Sequence, residues 1–147
     1  MLALVLGCVP IVFGNPSGSA RGSFGVSVVV LPYTKVETLH QVQQFDITPA
    51  DIARGYVDIP HATTLRLRSN HATGHDLVLV ALGSVFTRLE LKGVPTAPLV
   101  LGAMGGRVHL PLGNADTTYE LGYRLHLSDN VAAAGHEWPL ALYVEPA

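Results

Sequence analysis

From residue 25 onward the chain alternates apolar and polar positions again and again, the period of a strand with one buried face. The first such run is Gly25-Val26-Ser27-Val28-Val29-Val30-Leu31, rich in β-branched residues. It sets Val26, Val28 and Val30 on one face and ends at Pro32. Residues 34–39 read as a short second strand or an edge, and 56–59 as another strand with Pro60 as terminator. Leu65 and Leu67 point inward while Arg66 and Arg68 point to water. Residues 77–82 are almost continuously apolar, as in a strand covered on both faces, and 85–91 alternates with Arg88 and Glu90 outward. The longest alternating run is 117–127. Tyr119, Leu121, Tyr123, Leu125 and Leu127 share one face there, and Glu120, Arg124 and His126 the other. Residues 138–144 close the pattern with Leu140, Leu142 and Val144 inward.

Between these runs lie turn residues. Ser69-Asn70-His71-Ala72-Thr73-Gly74-His75-Asp76 reads as a hairpin-type loop, Gly83-Ser84 as a turn, and 92–106 as a loop holding a short strand at 99–101. One segment has helical punctuation. Thr48 as N-cap, Pro49 at the first helical position, Asp51 in the first turn and Gly55 as stop predict one short helical turn near 48–54. Strands about every ten residues, with no helical period and no long repeat, predict an all-β fold. The form expected is an antiparallel Ig-like β-sandwich of about seven to nine strands.

Composition narrows the function classes. Charged residues make up only 14% of the chain and the formal net charge is −2, so no basic field exists to hold nucleic acid. Met1 to Phe13 is apolar and uncharged, and small residues follow up to Ala20. That reads as a signal peptide over 1–20, lacking the usual basic start, ahead of a single domain over 21–147 that carries no transmembrane anchor. About 13 apolar residues fall short of the roughly 20 that span a bilayer. Cys8 is the one cysteine and lies in that leader, so an exported mature chain has neither disulfides nor thiol chemistry.

Candidate chemistry is sparse. His71, His75 and Asp76 are residue types that ligate zinc or copper, yet their turn-rich setting favours a solvated loop tip. No serine sits in a Gly-x-Ser-x-Gly elbow, and Asp46, Asp51 and Asp58 read as caps, turns and an outward strand position. No catalytic set and no cofactor are expected. Among the aromatics, Tyr119 and Tyr123 fall on a core face, which leaves Trp138 and Tyr143 as ligand-facing candidates.

An export segment, then Val26 to Leu31, then a strand–Ser69-Asn70–turn–strand centre resembles secreted pilin-like domains of the spore coat U and archaic chaperone–usher families. So does the closing segment Gly135-His136-Glu137-Trp138-Pro139-Leu140-Ala141-Leu142-Tyr143-Val144-Glu145-Pro146. The chain lacks the cysteine pair common in such subunits. The resemblance implies a secreted structural subunit of a fibre, pilus or coat, whose N-terminal strand completes the sheet of an identical or related subunit in a head-to-tail polymer. Two other readings stand beside it: a monomeric extracellular binding module using Trp138 and Tyr143, and a small metal-binding protein using His71, His75 and Asp76.

Overall fold

The computed structural model describes residues 27–71, 73–95, 99–111 and 115–147. Leu31–Ala147 is one compact unit, and residues 27–30 belong to a separate unit preceding it. The expected leader over 1–20 and the assembly residue Val26 lie outside the described residues.

Within the described residues the chain runs β1 (Thr34–Gln41), β2 (Gln44–Asp46), α1 (Pro49–Arg54), β3 (Tyr56–Ser69), β4 (His75–Ala81) and β5 (Phe86–Lys92). It continues through β6 (Leu99–Gly102), β7 (Gly105–Leu110), β8 (Asp116–Leu127), β9 (Gly135–Glu137) and β10 (Leu140–Pro146). Eight strands form one antiparallel sheet in the order β1-β3-β8-β5-β6-β7-β4-β10, while β2 and β9 make a separate ribbon. The all-β, antiparallel expectation therefore holds.

The sheet curls until it is nearly a barrel. At one end Thr34 Oγ1 on β1 lies 3.0 Å from His75 Nε2 on β4, although these strands stand first and seventh in the sheet order. At the other end the β2–β9 ribbon joins the segment after β1 to the segment before β10. Phe45 is paired with His136 there, and the Trp138 N–H donates to the Gln43 carbonyl at 2.8 Å. Period-two alternation fills the inside with Leu65, Leu77, Leu79, Leu89, Leu91, Leu110, Leu121, Tyr123 and Leu125, all essentially buried. The opposite positions carry the charges. Arg66 and Arg68 meet Asp116, Arg124 and Lys92 meet Asp58, and His126 meets Glu90 at 2.6 Å.

The helix forms as its punctuation predicts. The Thr48 hydroxyl accepts from the Asp51 N–H at 3.2 Å, and the Thr48 N–H donates back to Asp51 Oδ2 at 2.9 Å, a reciprocal cap behind Pro49. Gly55, at φ 80, stops the helix in the left-handed region that glycine tolerates.

Three local expectations are corrected. Pro60 does not end its strand: β3 continues to Ser69 because the register shifts between Ile59 and Thr63. Three residues there oppose Gly122 alone, so the missing proline N–H falls where no ladder bond is required. The 69–76 segment is not a hairpin, since β3 and β4 are not neighbours and the loop crosses between distant strands. The 92–106 segment is more regular than expected. β6 and β7 form a tight hairpin closed by the Gly102–Gly105 pair.

Candidate functional site

A sheet that curls without closing leaves two edges, and here they are β1 and β10. Among the described residues, each offers one row of main-chain groups with no neighbouring strand. The two edges flank a seam, bridged at one end by Thr34 and His75 and at the other by the β2–β9 ribbon. Toward the ribbon end the seam widens into a cleft of about 660 Å³, lined by Gln41, Gln43, Gln44, Glu137, Trp138, Leu82 and the start of β10. The Gln41 side-chain nitrogen is buried and has no hydrogen-bond partner among the described residues, and the Gln43 amide donates to the Gln41 carbonyl at 3.2 Å. A buried donor without a partner costs about 1–3 kcal/mol, so the cleft holds an unmet demand for an acceptor.

Along β1 the edge is partly apolar. Val36 and Leu39 are exposed, and a register shift between Thr38 and His40 leaves Leu39 as the extra residue of a bulge. Along β10, Leu142 and Val144 are half-buried and Tyr143 is 46% exposed.

The candidate assembly residues Val28 and Val30 belong to no strand. Residues 27–33 carry no strand assignment, and Val28 is 78% and Val30 72% exposed. The chain is held just after them. The Asn70 side chain donates to the Leu31 carbonyl at 3.0 Å and accepts from the Tyr33 N–H at 2.6 Å, while the Asn70 N–H donates to the Tyr33 carbonyl at 3.3 Å. Ser69 Oγ donates to that same carbonyl at 2.9 Å and accepts from the His71 N–H.

The two aromatic candidates part company. Tyr143 is exposed, as expected. Trp138 is half-buried instead, its ring set edge-on to Tyr123 at 5.2 Å and to Phe45 at 6.1 Å, because β9 and its pairing with β2 turn it onto the core. One margin of Trp138 still lines the cleft.

The structure does not bring His71, His75 and Asp76 together. His75 and Asp76 are successive residues of β4, so they face opposite sides of the sheet. His75 is buried against Thr34, and its ring lies 6.0 Å from that of His71. Asp76 points outward to His109 Nδ1 and Arg107, both at 3.0 Å. Burial holds the His75 imidazole below its ordinary pKa, and the positive charges that His71 and His109 can carry push the same way. The hydrogen bond from His109, and then that from Arg107, keep the Asp76 carboxyl below the usual range. Of the residues at the site, Gln41, Gln43 and Gln44 were not singled out from the sequence, and Asn70 and Glu137 entered only as members of the 69–76 loop and the closing segment. The crowded glutamines of Gln41-Val42-Gln43-Gln44 are the one signal in the sequence that could have pointed there.

Among the described residues no group of histidine, cysteine or carboxylate side chains is arranged to hold a metal ion, and no helix is long and apolar enough to cross a membrane. Compared with protein-family models, curated proteins and solved structures, the chain matches none of them.

Proposed function

We propose that this protein is a secreted structural subunit that assembles by strand addition, its valine-rich N-terminal segment entering the seam of another copy. One observation carries the reading. Residues 27–31, among the most β-prone of the chain, stand outside any strand, while the sheet ends on two edges with no strand beside them among the described residues. Burying Val26, Val28 and Val30 in a neighbour contributes on the order of 5 kcal/mol before ordering costs. Main-chain bonds to β1 and β10 add affinity, and the unpartnered Gln41 amide finds an acceptor. Such a contact is head-to-tail and does not close on itself, so it builds a filament. The Ig-like sandwich and the kinship to pilin-like subunits belong to this same reading, as does export by a leader over 1–20.

The test is the full chain carrying Val28→Asp. Wild type is expected to form concentration-dependent oligomers in light scattering and fibres in electron microscopy, and the variant to stay monomeric with an unchanged melting curve. Assembly of the variant at wild-type concentrations would sink the reading.

A second reading has its own support. Three glutamines, Glu137 and a Trp138 margin around one cleft suit a small polyhydroxylated ligand, as in a monomeric binding module. Glycan binding that is lost in Gln43→Ala, by a protein that stays monomeric, would favour it over assembly.

A further inference from the structure

Ser69, Thr34 and His75 form a hydrogen-bond chain across the curl, and the hydrogens available give it a direction. The Ser69 hydroxyl donates its one hydrogen to the Tyr33 carbonyl at 2.9 Å and accepts from the His71 N–H at 2.9 Å. Ser69 Oγ is therefore an acceptor for the Thr34 hydroxyl, 3.2 Å away, and that bond takes the threonine hydrogen. Thr34 Oγ1 in turn accepts from His75 Nε2 at 3.0 Å. A neutral His75 carrying its proton on Nε2 completes the chain. Thr34 lies on β1 and His75 on β4, so the chain ties these two strands at one end of the seam. The other end is tied by main-chain bonds of the β2–β9 ribbon, which do not titrate.

Mild acid acts on the first tie. A second proton enters His75 at Nδ1, adding a charge and a new donor on a residue that is 4% exposed. The charges that face it have the same sign. The His71 ring, from the loop after β3, is centred 6.0 Å away, and His109, from β7, lies against Gly74. Asp76 points to the opposite face of the sheet, where it takes His109 and Arg107. β1 and β3 contribute the uncharged hydroxyls of Thr34 and Ser69, and β10 contributes Pro146, the residue paired with His75. Beyond it, the Ala147 carboxyl accepts from the Thr73 hydroxyl at 2.7 Å. We infer that His75 is an acid-released latch: its protonation frees Thr34 and opens that end of the seam to water, while the ribbon keeps the other end shut. Burial, and then the charges of His71 and His109, hold the imidazole below its ordinary range, in keeping with a closed state that favours the neutral form. The latch works within one molecule and owes nothing to strand addition.

The experiment places pairs of nitroxide labels on the full chain, with Cys8→Ser removing the native thiol, and reads their separation by pulsed electron resonance. Labelled protein is diluted into unlabelled protein, so that only pairs within one molecule are read. Lys35→Cys with Pro146→Cys spans the His75 end of the seam, and Gln43→Cys with Leu82→Cys spans the cleft at the ribbon end. All four positions are exposed. Between about pH 7.5 and about pH 5 the first separation is expected to lengthen by several ångströms, with its midpoint below about 6.5, and the second to hold. In His75→Gln, whose carboxamide can bond Thr34 and does not titrate, both separations are expected to hold. A first separation that stays constant in wild type, or lengthens equally in His75→Gln, would overturn the latch, and so would lengthening of both pairs together. Should His75→Gln fail to fold, Thr34→Val decides. Without the Thr34 hydroxyl the opening midpoint is expected to move to higher pH, and an unmoved midpoint would overturn the latch.

Discussion

His75 is the residue whose surroundings most constrain its chemistry. It is buried, it bonds Thr34 across the curl, and the fold favours its neutral form. A histidine with a lowered folded pKa binds fewer protons folded than unfolded. Its stabilising contribution is therefore complete above the unfolded value of about 6.5 and drains as pH falls toward the folded one. Stability measured by urea titration is expected to decline from about pH 6.5 downward, and His75→Gln to flatten that limb. The carboxylates act later. The hydrogen bond from Arg66, then that from Arg68, hold Asp116 at about 2, and Asp58, Asp76 and Glu90 are lowered by their own partners. Their contributions are present above roughly pH 4 and are lost as pH falls through the lowered values. A second acid limb is thus expected below the first. Deeper in the core, the Tyr123 hydroxyl donates to Thr63 Oγ1 at 3.2 Å, and burial pushes its pKa up to about 12. Tyr123→Phe is expected to cost about 1 kcal/mol in chemical denaturation, the net worth of one neutral hydrogen bond.

At the scale of elements, the helix and the β6–β7 hairpin depend on single backbone positions. Thr48→Ala removes one half of the reciprocal cap and is expected to cost about 1 kcal/mol, read from thermal or urea melting. Gly105 sits at φ 90, and a side chain there would collide with the Leu79 carbonyl of the adjacent β4. Gly105→Ala is therefore expected to destabilise by more than the roughly 1 kcal/mol of left-handed strain alone, because β7 must shift away from β4. The helix and the alternating strands were legible in the sequence because their signals are local: Thr48, Pro49, Asp51 and Gly55 lie within one turn, and alternation is read from neighbours; the β6–β7 hairpin was not, because its glycine-rich stretch reads as a loop until β4 pairs with it. Pro60 misled because a bulge is set by the partner strand. Only β8, with Gly122 opposite, shows that three residues fit against one.

At the scale of the whole molecule, the seam is the consequential feature, and it exists because curling brings first and seventh strands into contact without pairing first to eighth. The proposed assembly through apolar side chains and main-chain bonds invokes no complementary charge. The oligomer midpoint is therefore expected to shift little between about 50 and 500 mM salt, whereas an ion-paired interface would weaken as screening shortens. Sedimentation at the two salt concentrations checks this.

The sequence by itself determined the strand-rich class, the helical turn behind Thr48, the buried faces of β3, β5 and β8, and the unusual density of β-branched residues before Pro32. Each follows from side-chain period or from backbone preferences of adjacent residues, which need no partner to be read. Tertiary structure alone decided the strand order, the open seam between β1 and β10, the separation of His75 from Asp76, the turning of Trp138 onto the core, and the Asn70 clamp on Leu31 and Tyr33. Those depend on which distant strands pair, a choice made by total burial across the curled sheet rather than by any local pattern.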